Sequence, residues 1–225
     1  MEFTEVNRLL SPDPLPLEMG VERLAGGQLH VAVRTYMIGC TGAMFQWWFG
    51  TGPGPREYAW WHPVDHIGSG WLDLPDDGTG IGSTHVADEK LGGDEVHSLK
   101  IRFYDPVETF GDEYGAARER GDISAAVLAD IGLGADPPRD ERGRPLGGKL
   151  VHLGRDTEFG LVLRSNFWLG WGLPLAPAEL EQEIPFELGL SLMKHSSQEW
   201  FYLMRFLPAL FIAERRDEVP APVAW

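Results

Sequence analysis

Hydrophobic and polar positions alternate in three stretches of the chain, and each predicts a strand. In residues 28–36, Leu29, Val31 and Val33 alternate with His30, Ala32 and Arg34. Residues 82–88 and 96–104 predict two more; the second sets Leu99, Ile101 and Phe103 against Lys100 and Arg102. Residues 149–154 and 159–169 predict a hairpin, and the aromatic-rich run 57–62 reads as strand-like, stopped by Pro63. Helical patterns fall elsewhere. Residues 40–49 predict a short helix ended by Gly50, Gly52, Pro53, Gly54 and Pro55, and residues 113–131 an acidic helix. The strongest signal covers 186–216, where Leu188, Leu192, His195, Glu199, Leu203, Phe206 and Leu210 follow three- and four-residue steps. Pro208 predicts a kink in that helix.

Several antiparallel strands closed by one long C-terminal helix predict an α+β, helix-grip fold: a curved sheet wrapped around a helix, with a cavity between them. Pro12, Pro14 and Pro16 make residues 1–27 an extended lead-in to a domain over 28–217, and 218–225 form a tail. The Gly-, Pro- and charge-rich segment 132–148 predicts a mobile loop.

Composition narrows the function classes. A length of 225 residues with 43% hydrophobic positions suits one domain with a sizeable core, and nine Trp argue against disorder. Asp and Glu outnumber Lys and Arg 34 to 19, a net charge of −15, which repels phosphate backbones and anionic lipid. Neither nucleic acid nor a membrane surface is therefore an expected partner. Cys40 stands alone, which excludes an intramolecular disulfide framework and Cys-based zinc knuckles, so any metal must be held by His, Asp or Glu. The N-terminus lacks the apolar core of a signal peptide, and the apolar stretch 201–213 is broken by Arg205 and Pro208, so a cytoplasmic protein is expected. The absence of GxGxxG, P-loop, GxSxG and HExxH patterns argues against nucleotide, serine-hydrolase and zincin chemistry.

Four clusters are left to carry chemistry. His195 and Glu199 sit four residues apart on the apolar helix stripe, with Cβ atoms about 6 Å apart, close enough for two ligands of one metal. A His–Glu hydrogen bond or a polar patch at a cavity mouth would use the same spacing. The segment from Tyr58 to His66 concentrates Tyr58, His62, Asp65 and His66 around a proline turn, so either histidine could be a ligand and the other a supporting or packed group. His85 or Glu89 could point inward from a strand end, although a glutamate before Gly92 and Gly93 is usually solvated. His152 faces the same way as Leu150, as a pocket acid or base or as a buried, satisfied histidine.

Taken in order, these motifs resemble the 2,4-diacetylphloroglucinol hydrolase family, which includes phloretin hydrolases. The resemblance runs through Met44-Phe45-Gln46-Trp47-Trp48-Phe49 and the Tyr58-to-His66 segment, then Glu89-Lys90-Leu91-Gly92-Gly93 and Arg102-Phe103-Tyr104-Asp105-Pro106. It continues in Leu150-Val151-His152 and Gly160-to-Ser165 and closes on His195-Ser196-Ser197-Gln198-Glu199, spanning about 37–212. It implies a helix-grip, Bet v 1-like catalytic domain holding one zinc through two His and two Glu: His66 (with His62 as the alternative), Glu89, His195 and Glu199. It further implies Tyr58 and His152 as catalytic groups that also bind substrate, with Ser69 and Phe167 completing the substrate contacts.

The implied reaction is metal-activated attack of water on an aryl ketone, freeing an acyl group from an electron-rich phenolic ring. Phe167 stands where the diacetylphloroglucinol enzyme has a further tyrosine, so a different pattern of hydroxyl recognition is expected. Trp47, Trp48, Trp60, Trp61 and Trp168 are candidates for an aromatic wall. A homodimer is compatible with the family, although its N-terminal extension is expected to be shorter here. Two rival readings share the cavity: a non-catalytic binder of a hydrophobic phenolic or polyketide ligand, and a polyketide cyclase.

Overall fold

The computed structural model describes residues 1–91 and 93–215; Gly92 and the expected tail 218–225 lie outside the described residues. A 3-10 helix, Phe3–Leu10, leads into β1 (Gly20–Arg23) and β2 (Leu29–Ile38). Helices α1 (Gly42–Gly50) and α2 (Pro55–Trp61) precede β3 (His66–Leu72), β4 (Thr84–Lys90) and β5 (Val96–Tyr104). Two short helices, α3 (Val107–Phe110) and α4 (Asp112–Glu119), come before β6 (Ala125–Leu133), β7 (Gly148–Thr157) and β8 (Gly160–Leu169). The chain ends in α5 (Pro177–Glu183), α6 (Phe186–Leu203) and α7 (Leu207–Glu214).

All eight strands join one antiparallel sheet in the order β1-β2-β8-β7-β6-β5-β4-β3. Helix α6 lies against it and touches β2 and β1. Gly189 permits that contact: a Cβ there would sit 2.6 Å from Leu29 Cδ2 and 2.7 Å from Val21 Cγ1. This is the expected helix-grip architecture. No helix among the described residues is long and apolar enough to cross a membrane.

Two hydrophobic clusters sit on opposite faces of the sheet. The inner one gathers Val31, Phe45, Trp48, Phe103, Leu150, Phe167, Trp200 and Leu203 beneath the C-terminal helices. The outer one packs Val6, Leu9 and Leu10 of the N-terminal 3-10 helix, with Phe110 and Ala117, on Leu128, Val151, Leu153 and Trp168. Arg164 fastens the proline-rich segment to this face, donating to the carbonyls of Ser11 (2.6 Å) and Asp13 (2.7 Å) and to Glu18.

Residues 1–27, expected as an extended lead-in, instead supply the 3-10 helix Phe3–Leu10 and the sheet strand β1, and three further elements differ from the sequence expectation. Residues 57–61 are helical within α2, and His62 is its extended C-cap: Pro55 occupies the first turn, where its missing N–H costs nothing, and Tyr58 and Trp61 share the buried face. Aromatic content had suggested a strand, but burial of one helical stripe prevails over propensity. The expected helix over 113–131 stops at Glu119, and 125–133 form β6. That strand is covered on both faces, so Ala125–Asp130 are all buried and show no two-residue period. The expected kink at Pro208 is a full break: α6 ends at Leu203, and Pro208 lies in the first turn of α7. Arg216, the expected helix end, lies outside the described residues.

Candidate functional site

Four donors converge from three elements, each for a local reason. On β4 the two-residue period buries His85, Ala87 and Glu89 together, while Thr84, Val86, Asp88 and Lys90 face away. On β3 the register slips between His66 and Gly68, a bulge that leaves Ile67 exposed and sets His66 directly opposite Glu89. On α6 the four-residue spacing brings His195 and Glu199 to one buried face.

The resulting distances are short. His195 Nε2 lies 3.6 Å from Glu89 Oε2 and 3.9 Å from Glu199 Oε2, and His66 Nε2 lies 3.8 Å from the same Glu199 oxygen. His66, His195 and Glu199 form a group whose donor atoms could hold a metal ion. Bonds of about 2.0–2.2 Å in a tetrahedral zinc site put donors about 3.3–3.6 Å apart, within a few tenths of an ångström of the observed separations.

Hydrogen bonds fix which nitrogen of each ring is free. His195 Nδ1 lies 3.0 Å from Asp65 Oδ2, and His66 Nδ1 lies 2.9 Å from the Tyr58 carbonyl. Both partners accept only, so each Nδ1 carries a proton, and in the neutral ring each Nε2 keeps a lone pair. His66 Nε2 is buried without a hydrogen-bond partner. His62 is arranged oppositely. Its Nδ1 accepts the Asp65 backbone N–H at 3.0 Å, so in the neutral ring Nε2 carries the proton, 3.6 Å from Asp65 Oδ2. His62, Asp65 and His195 form a second group of metal-capable atoms, but His62 stacks on His195 at 4.8 Å and meets it through Asp65.

The electrostatics point the same way. Burial, reinforced by His195, pushes His66 down to about 2, so the ring is neutral. Burial and then the Glu89 carboxylate push Glu199 well above the usual carboxylate range. Among the described residues the ion-pair partners of Glu89 and Glu199 are the two histidines, with no Lys or Arg. Two buried carboxyl groups beside two buried imidazoles, with no Lys or Arg to balance them, are costly by themselves and are suited to a divalent cation. Tyr58 donates its hydroxyl to Glu89 Oε1 and stacks on His66 with centroids 3.7 Å apart. Burial and then Glu89 push the Tyr58 hydroxyl well above its ordinary value, so it remains a donor.

Glu89, His195, Glu199 and Tyr58, but not His66, line a cavity of about 550 Å³ between the sheet and α6. Its wall includes Tyr58, His85, Glu89, His152, His195 and Glu199, together with Phe167 and Trp61. The other tryptophans proposed from sequence serve the fold: Trp48 and Trp168 are core, Trp47 abuts Phe211, and Trp60 is exposed. Ser69 is not on the wall; its hydroxyl pairs with His85 Nε2 at 2.8 Å. His85, stacked on Trp71, stands in its place, and strand alternation with Glu89 was the sequence signal for it. His152 is boxed by Phe45, Phe49, Phe167 and Trp200, and its Nδ1 is buried without a partner.

Burial pushes His152 down to about 3. The unfolded chain binds a proton here near pH 6.5, whereas the folded chain resists until about 3. The contribution to stability is therefore intact above pH 6.5 and is lost as the pH falls below it, at about 1.4 kcal/mol per pH unit. His152→Phe is expected to remove that much slope from unfolding free energies measured in urea between about pH 6 and 4. An unchanged slope would contradict the buried neutral state.

A profile of the DAPG hydrolase PhiG domain matches residues 1–212. The chain belongs to the DAPG hydrolase family. The 2,4-diacetylphloroglucinol hydrolase of Pseudomonas protegens is 30% identical over 232 residues, covering 92% of this chain and 72% of that protein. The phloretin hydrolase of Eubacterium ramulus is 26% identical over 234 residues, covering 96% of this chain and 79% of that one. Among solved structures, Ara h 8.0201 aligns with a TM-score of 0.49 at 9% identity, covering 84% of this chain and 99% of that one. Membership of the DAPG hydrolase family makes this chain a hydrolase, and the match takes in α6, the sheet and the segment carrying His62, Asp65 and His66.

Proposed function

We propose that the protein is a zinc-dependent hydrolase that cuts the carbon–carbon bond between an acyl group and an electron-rich phenolic ring, with His66, Glu89, His195 and Glu199 as metal ligands. One observation carries the reading: two imidazoles held through Nδ1 face two buried carboxylates at the wall of a cavity large enough for an aromatic ketone. His66 is preferred over His62 because its Nε2 is free to donate a lone pair while that of His62 bears a proton. The mixed nitrogen and oxygen donor set suits zinc. When bound, zinc would supply a Lewis acid and activate water near neutral pH.

The remaining work falls to the chain's own residues. Asp65 keeps His195 in the tautomer that leaves Nε2 available, the usual supporting role of a carboxylate behind a ligating histidine. Tyr58 holds Glu89 Oε1, leaving Oε2 toward His195, so it acts on the reaction through Glu89. Neutral His152 binds a ring hydroxyl and moves the proton that the leaving ring carbon requires, while Phe167 covers the ring. Ser69 acts through His85. In the overall change water adds its oxygen to the acyl carbon, the aryl–acyl bond breaks, and the ring carbon takes a proton. A carboxylic acid and a deacylated phenol result.

The deciding experiment measures metal by plasma mass spectrometry on protein purified without chelator, alongside hydrolysis of acylphloroglucinols. About one zinc per chain is expected, with activity lost on chelation and restored by zinc. A chain that holds no metal and regains none would overturn the proposal and favour a ligand binder or a cyclase.

A further inference from the structure

We infer that the substrate of this site is an acylated phenol whose acyl group is a long, uncharged hydrocarbon chain. The inference rests on the hydrolase reading for the ring end and on the cavity for the chain. An apolar cavity of about 150 Å³ is enough to hold benzene, and this one measures about 550 Å³. A single ring with two-carbon acyl groups leaves much of that space empty.

The polar and apolar parts of the wall are segregated in the same direction along two independent elements. On α6 the wall residues are Glu199, His195, Leu192 and Leu188, a span of about 16 Å at 1.5 Å per residue. The two groups at the donor end are charged or polar, and the two toward the N-terminus of the helix are leucines. On the sheet, His152 of β7 is followed outward by Leu150, which pairs with Phe167, and then by Gly148, which pairs with Leu169. Beyond them the wall continues in Leu146 and Leu173. A hydroxylated ring finds its hydrogen-bonding partners beside His85 and His152, and further out the wall is hydrocarbon from Leu150, Leu169, Leu188 and Leu192 until the outlet, where Gln182 joins the polar rim. The exposed side chains of Glu179 and Glu183 on α5 stand at the outlet. With a net charge of −15, they oppose a chain ending in a carboxylate.

Two measurements on the zinc-loaded protein test this. In the first, alkylresorcinols with chains of one, four and eight carbons, which have no acyl group to lose, are titrated by calorimetry. Affinity is expected to rise by up to about fourfold per added methylene, and a terminal carboxylate on the longest chain to cost about tenfold or more. In the second, kcat/KM is compared for acetyl- and octanoylphloroglucinol. The octanoyl compound is expected to be favoured by about a hundredfold or more, and Leu188→Trp to reduce that ratio by at least about tenfold. Affinity and kcat/KM that do not depend on chain length would overturn the inference while leaving the hydrolase intact. Binding that depends on chain length without hydrolysis of either ketone would retain the hydrocarbon channel and sink the hydrolase reading instead.

Discussion

Glu199→Gln is expected to leave the purified protein almost free of zinc and to lower hydrolysis by about a thousandfold or more, because a Lewis-acid contribution of several kcal/mol is lost at tenfold per 1.4 kcal/mol. The same substitution should stabilise the metal-free chain. Glu199 is buried and faces Glu89, and burial together with that neighbour raises its pKa. Without a cation, the folded state at neutral pH must either keep a proton that the unfolded chain releases or bear a buried charge, and both cost stability. The amide keeps the shape and removes the charge, so a gain of about 1–3 kcal/mol is expected at pH 7 in urea unfolding of chelated protein. The sign with pH follows: a carboxyl whose folded pKa is raised loses stability as the pH rises through that pKa. The advantage of the glutamine variant should therefore shrink as the pH falls toward 4.5. Full zinc content in Glu199→Gln would remove this residue from the ligand set. A loss of metal-free stability would show that the carboxylate is compensated by something other than a metal.

His66→Ala and His62→Ala should behave very differently, although both histidines are buried and lie in the same turn. His66→Ala removes a lone pair and should reduce zinc from about one per chain to a small fraction, with hydrolysis falling in proportion. His62→Ala removes a ring that touches the site through Asp65 and should retain the metal, with affinity weakened by about 10–100-fold at most. Near-ultraviolet circular dichroism separates these outcomes from misfolding. Equal metal loss in two folded variants would contradict the tautomer argument that distinguishes the rings.

Much of this site is legible in the sequence wherever a single element's period is enough. The helical spacing of His195 and Glu199 and the strand alternation joining His85 to Glu89 both place side chains on the buried faces where they stand. The choice between His62 and His66 could not be made from spacing. It depends on a bulge at Ile67, set by the pairing of β3 with β4, and on which backbone groups of α2 and of the turn after it meet each ring. The strand over 125–133 was hidden for a related reason. Its outer face is covered by a 3-10 helix more than a hundred positions earlier in the chain, and such a partner leaves no mark on local alternation. Ser69 shows the limit of residue-by-residue transfer. The resemblance offers it as a substrate contact, but only the register of Trp71 and Ser69 against His85 and Ala87 reveals that its hydroxyl is engaged by His85.

The separation of the donors along the chain also governs when the site can come into being. Asp65 and His195 are 130 positions apart, and the sheet is complete at Leu169, before any residue of α6 has been made. A ribosome releasing this chain from its N-terminus would expose His66 and Glu89 on one sheet edge well before the other two donors existed. Two donors form a weak, open chelate, whereas four form a closed one. On the proposed ligand set, tight capture of a cation would thus be reserved for a molecule whose last long helix has already docked, and loading would report on finished folding.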